Sequence, residues 1–132
     1  MAEQTERTRY REDELLEFKG LITKKLDASR KELEYLQDQI KNLSRENDNR
    51  MPGLEDGTST LEKEYLNQMA SRQIQYIQHL ENALVRIENQ TYGVCRTTGK
   101  LISKERLRAV PHATLSIEAK RNRSASKNNG RR

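Results

Sequence analysis

YGVCRTTGKLISKERLRAVPHATLSIEA, residues 92–119, has the rhythm of a small zinc domain. Cys95 follows a Tyr-Gly pair, Gly99 lies four residues past it, and a second short motif follows about twenty residues on. A structural zinc site takes four donors, normally thiolate or imidazole, in a tetrahedron. Cys95 is the only cysteine in the chain. The stretch therefore reads as a zinc-domain frame without its ligands. A lone cysteine also excludes an internal disulfide and suits a reducing compartment.

The remaining composition bounds what surrounds this stretch. Of 132 residues, 33% are hydrophobic and 34% charged, with one Phe and no Trp. That cannot fill a large core and fits an elongated helical protein. No apolar run approaches the ~20 residues of a membrane span, and MAEQTERTRY, residues 1–10, lacks the apolar core of a secretory signal. Charge is unevenly placed. Residues 1–91 carry 14 Lys/Arg against 18 Asp/Glu, and residues 92–132 carry 11 against 2, so the two parts stand at −4 and +9. A strongly basic end suits an acidic partner: nucleic acid, an acidic protein surface or an anionic nucleotide. A solvated tail is the plainer reading of residues 124–132.

Working back from the stretch, two long heptad patterns appear. Leu15, Ile22, Leu36 and Leu43 share one heptad position, interrupted by Ser29, and Leu26, Leu33 and Ile40 lie four residues on. This a/d seam predicts a helix from about Glu12 to Ser44. Gly20 costs it about 1 kcal/mol against Ala. A second seam sets Leu66, Gln73, Leu80 and Ile87 beside Ala70, Ile77 and Leu84. It predicts a helix from about Thr60 to Asn89, started by a Ser59–Glu62 capping box. Each helix would be ~45 Å long at 1.5 Å per residue. ENDNRMPGLEDGTS, residues 46–59, reads as a loop, which makes the helices antiparallel neighbours. Periodicity alone also allows a plain coiled coil that only dimerises. The loop, however, holds Glu55 and Asp56 at a hairpin tip.

The opening stretch, together with the hairpin before it, resembles the DksA/TraR family of bacterial transcription factors. The matching positions are Tyr92, Gly93, Cys95, Gly99, Ile102, Arg106, Leu107, Pro111 and Ala113, including the RLxAxP core. With the helices and tip, the likeness covers roughly residues 12–123. It implies a mostly α fold: a long antiparallel coiled-coil hairpin, a small degenerate zinc-finger-like domain and a C-terminal helix. The divisions expected are an N-terminal segment 1–11, a hairpin 12–90 with tip loop 46–59, a finger-like domain 91–123 and a disordered basic tail 124–132. The family's four zinc ligands fall here on Cys95, Thr98, Ser116 and Ala119. Only one of these is a zinc donor, and His112 is not at a ligand position, so zinc is expected to be absent. Val94, Leu101, Ile102, Leu107, Val110, Leu115 and Ile117 would form a mini-core in its place. Without a resolving partner, Cys95 reads as a small buried residue.

The resemblance also implies a mechanism. Such proteins insert the hairpin into the secondary channel of RNA polymerase and act near its catalytic centre. The family's DxxDxA tip motif falls on Gly53, Asp56 and Thr58, with Glu55 as an added acid. Carboxylates carried into a site with Mg²⁺ and cationic residues interact strongly, because screening is weaker there than in open water. Some members respond to ppGpp through positions matching Arg72, His79, Val110 and Lys120, of which Arg72 and Lys120 keep a cation suited to phosphate. The expected partner is RNA polymerase, with promoter DNA met indirectly. The expected protein is a cytoplasmic, non-membrane monomer.

Two other classes stay open. The basic end KRNRSASKNNGRR, residues 120–132, suits salt-sensitive, non-specific nucleic-acid binding, although Tyr92 stands alone and offers no aromatic cluster for stacked bases. A structural coiled-coil protein would not need RLRAVP. Catalysis is not expected. The chain has no Gly-rich phosphate loop and no HExxH, and His79 and His112 lack a Ser or Cys partner at a recognisable spacing. Glu81 and Glu88 read as solvated-face residues.

Overall fold

A computed structural model describes residues 8–48 and 57–129, with side chains for 8–46 and 60–124. The chain is mostly helical: α1 spans Glu12–Asp48, α2 Gly57–Glu88, α3 Lys104–Ala109 and α4 Ile117–Asn129. Among the described residues the β structure is a single antiparallel bridge between Val94 and Leu101. No described helix is long and apolar enough to cross a membrane.

Contacts divide the chain into two compact units, one of residues 1–23 with 80–132 and one of residues 24–79. The second unit is a helical pair from α1 and α2. Eight residues separate the two helices, so the chain doubles back and the pair is antiparallel. Its seam is the one the heptads predict. Leu26, Ser29, Leu36, Leu43 and Ala70 are buried, with Leu33, Ile40, Leu66 and Ile77 half-buried beside them. Ser29, the break in the apolar series, still points inward.

The helix ends differ from expectation. α1 runs on to Asp48 rather than ending at about Ser44. α2 opens at Gly57, so Ser59 lies inside its first turn rather than at the cap, and the Ser59–Glu62 capping box is not its start. The loop is therefore shorter than residues 46–59.

The first unit gathers the opening of α1, the close of α2, α3 and α4. The start of α1 is fixed by Glu14, whose carboxylate accepts the Arg11 N–H at 2.9 Å. This is one half of a capping box. Its interior centres on three rings. Phe18 lies between Tyr10, at a centroid distance of 5.9 Å, and Tyr92, at 5.4 Å. These tilted pairs suit the ring quadrupoles. Tyr92 is thus not alone, and it is fully buried, so its face is closed to a base. Each phenol is satisfied: Tyr10 donates to the Ile102 carbonyl and Tyr92 to that of Pro111 at 2.8 Å. Burial pushes the Tyr92 phenol up, against the opposing pull of Arg86. Tyr10, from the segment expected to stand apart as residues 1–11, is part of the core, while residues 1–7 lie outside the described residues.

The proposed mini-core needs correction in the same terms. Ile102 and Leu107 are fully buried, but Val94, Leu101, Val110 and Leu115 are half-buried and Ile117 is 46% exposed. The rings of Tyr10, Phe18 and Tyr92 occupy the interior instead. The tail also departs from expectation. Residues 124–129 continue α4 rather than being disordered. Ser116 accepts the Ala119 N–H at 3.1 Å, a side-chain cap, and Ala, Arg and Lys favour the helix that follows.

Candidate functional site

Local backbone rules bring together the four positions that the resemblance matches to zinc ligands. After α2, Gln90 takes a φ of 62° and Gly93 one of 79°. Gly93 approaches so closely that a Cβ there would stand 2.6 Å from the Tyr10 ring and 3.2 Å from Leu107 Cδ1. Ile102 N–H returns to the Gly93 carbonyl at 2.7 Å. The intervening turn is closed by Gly99 N–H to Cys95 O and Cys95 N–H to Lys100 O, both 2.8 Å. Gly99 at φ 73° allows that reversal. A further bond, Arg96 N–H to Thr114 O at 3.0 Å, ties the turn to the segment leading into α4.

Cys95 is fully buried, and Ser116 N–H donates to its Sγ at 3.4 Å. Burial pushes the thiol up. The Thr98 hydroxyl and the N–H groups of Ser116, Thr98 and Thr97 outweigh that, and the pKa falls to about 6. Hydrogen bonds to the charged form favour it. Thr98 Oγ1 in turn accepts Lys100 N–H at 3.2 Å. Cys95, Thr98 and Ser116 thus converge, and buried Ala119 follows through the Ser116 cap. One thiolate, two hydroxyls and a methyl do not make a zinc tetrahedron. Among the described residues no cluster of three or more His, Cys, Asp or Glu side chains is placed to hold a metal. The residues present do not fit zinc.

Two polar ties fasten the finger to the helices of its own unit. Glu14, nearly buried on α1, is 2.7 Å from Lys104 Nζ at the start of α3. Arg86 on α2 donates to the His112 carbonyl at 3.3 Å, and burial lowers its pKa. Sequence reasoning named neither tie. Glu14 three residues past Arg11 carried a capping signal, but nothing local marks Lys104 as its partner.

A concave basic surface lies beside the finger. A cavity of about 430 Å³ is lined by Arg106, Val110, His112, Lys120 and Arg123, among others. α3 positions Arg106: Ser103 caps the helix, accepting Arg106 N–H at 3.2 Å, and Arg106 Nε donates to Leu115 O at 2.9 Å. Of the four positions tied to ppGpp, Val110 and Lys120 meet on this cavity. Arg72 and His79 are exposed on α2 in the other unit. At the tip, Gly53, Glu55 and Asp56 lie outside the described residues. Thr58 sits in the first turn of α2, and its side chain also lies outside them.

Comparison with known proteins matches this finger to the model for the prokaryotic dksA/traR C4-type zinc finger over residues 90–123. General stress protein 16O of Bacillus subtilis is 31% identical over 121 residues, covering 90% of this chain and 69% of that protein. The chain belongs to the DksA/TraR family. Another relative, the RNA polymerase-binding transcription factor DksA of Caulobacter vibrioides, is 32% identical over 80 residues. That alignment covers 61% of this chain and 56% of the relative. The DksA/TraR fold is matched by the solved structure of transcription factor DksA2 from Pseudomonas aeruginosa, with a TM-score of 0.78 at 21% identity. The superposition covers 86% of this chain and 85% of that one. This chain's single cysteine cannot by itself supply the four of a C4-type finger.

Proposed function

We propose that this chain is a transcription regulator that binds RNA polymerase through its helical hairpin, inserted into the secondary channel. Asp56, and secondarily Glu55, would be its effectors there, with Thr58 completing the tip motif. The observation that carries the proposal is the kinship with the Caulobacter protein, whose name states polymerase binding. The physical case is one of placement. A small acidic loop contributes little binding area, but carboxylates near Mg²⁺ act strongly over short distances where screening is weak. The role is binding rather than catalysis, exerted by a monomer in the cytoplasm, with promoter DNA met through the polymerase.

A tagged copy recovered from its native cells tests this: polymerase core subunits should dominate the eluate. Converting Asp56 to Asn and Glu55 to Gln should leave that recovery intact while weakening the effect on single-promoter transcription in vitro. An eluate without polymerase would remove the proposal. A tip variant that regulates like wild type would remove the acidic effectors from it.

A further inference from the structure

We infer that Ser29 and Gln73 form a polar lock inside the helical pair of the second unit. The lock fixes which stretch of α1 meets which stretch of α2, and it holds α1 to its own α2. The inference concerns the pair itself and stands apart from polymerase binding.

Both residues interrupt an apolar series. Leu15, Ile22, Ser29, Leu36 and Leu43 recur every seven residues, and all five are buried. On α2, Leu66, Leu80 and Ile87 recur likewise around Gln73. Ser29 is 7% exposed and, among the described residues, is the one buried polar residue of the second unit. Gln73 Oε1 is closed to solvent and accepts no hydrogen bond from any described residue. Among the described residues it is the one such side-chain atom in that unit.

The two breaks also match in depth. Ser29 lies 19 residues before Asp48 at the end of α1, and Gln73 lies 16 residues after Gly57 at the start of α2. These are about 28 and 24 Å from the loop at 1.5 Å per residue, a difference smaller than one turn of about 5.4 Å. In an antiparallel pair closed by eight residues, both breaks therefore fall in the same part of the seam. An amide oxygen shut away from water without a donor is costly. A serine hydroxyl carries one rotatable donor, and Ser29 brings one to that part of the seam. A water between the two groups would join them nearly as well as a direct bond.

Leucine at both positions would bury more apolar surface and leave both seams unbroken. Unbroken apolar seams pair in more than one register and with more than one partner. A single polar layer specifies register and partner, at a cost in stability. A slip of one heptad would move the two breaks about 10.5 Å further out of line, and each polar group would then face an apolar layer. Pairing α1 with α1 of a second copy would likewise separate Ser29 from Gln73.

The test moves the breaks while keeping the composition of the full chain. Ser29→Leu with Leu36→Ser shifts the α1 break one heptad toward the loop, and Gln73→Leu with Leu66→Gln shifts the α2 break equally. Either shift alone parts the polar groups; both together return them to matching depth. Urea unfolding followed by circular dichroism should show each single shift lowering the folded-to-unfolded ratio by on the order of tenfold, the effect of a buried polar group without its partner. The doubly shifted chain should be at least as stable as either single shift. Ser29→Leu with Gln73→Leu should unfold at higher urea than wild type. Light scattering should show that same variant forming larger assemblies than wild type at equal concentration. Additive losses in the doubly shifted chain overturn the inference, since the two residues would then fill the seam independently. A Leu/Leu variant less stable than wild type, or one that keeps the wild-type assembly state, overturns it as well.

Discussion

Replacing Gly93 by Ala probes the join between the finger and the start of α1 more directly than any ligand position. Two costs add at this residue. Its φ of 79° is left-handed, which costs a residue with a Cβ about 1–2 kcal/mol. The new methyl would also stand 2.6 Å from Tyr10 Cδ2 and Cε2 and 3.2 Å from Leu107 Cδ1. Real Cβ atoms do not approach that closely, so the ring must move, and forced overpacking costs about 1–3 kcal/mol. The Tyr10 ring cannot swing freely, because its hydroxyl is tied to the Ile102 carbonyl and its face to Phe18. The expected loss is therefore about 2–5 kcal/mol, the sum of the two terms. Native-state hydrogen exchange reads it locally, since the Ile102 amide bonds the Gly93 carbonyl itself. Urea unfolding gives the global value. Tyr10→Ala removes the obstructing ring, so the double variant should be less destabilised than the sum of the singles by about 1–3 kcal/mol. A Gly93→Ala protein within ~0.5 kcal/mol of wild type, the range of an ordinary surface substitution, would refute the close approach. Strict additivity with Tyr10→Ala would leave only the backbone term.

Three other outcomes follow from the same core. Leu107→Ala removes a fully buried side chain and should destabilise the first unit by about 2–5 kcal/mol, read by the same exchange experiment. Protein purified without chelators should carry far less than one zinc per chain by elemental analysis, and chelators should leave its melting curve unchanged; zinc at one per chain that survives dialysis would contradict the donor set. The Cys95 thiol, lowered from 9.0 to about 6, should show its thiolate absorbance with a midpoint near pH 6. Because the folded state then holds fewer protons than the unfolded one, its contribution to stability grows as pH rises from about 6 to 9 and is lost as pH falls through the folded value. Wild type minus Cys95→Ser isolates that slope, and a difference that is flat with pH would contradict the hydrogen-bonded thiolate.

The chain's own order of residues determined the elements that obey local rules. Heptad spacing put Leu26, Leu36 and Leu43 in a buried seam, and the spacing of Gly93, Cys95 and Gly99 marked the finger's turns. The same local reading set Thr98, Ser116 and Ala119, none of them a thiolate or an imidazole, where the resemblance expects zinc ligands. Helix ends were less legible. Ser59 satisfied a capping pattern, but the helix began earlier, at Gly57, and the basic tail remained helical through Asn129. What only the tertiary structure decided were the pairings across long separations. Tyr10, Phe18 and Tyr92 form one aromatic cluster, Glu14 meets Lys104, and Arg106 joins Lys120 and Arg123 around one cavity. Periodicity states which face of an element is apolar, because that face repeats with the helix itself. It does not state which distant side chain fills the space opposite, because that depends on how the closed chain distributes volume and charge among all its elements at once.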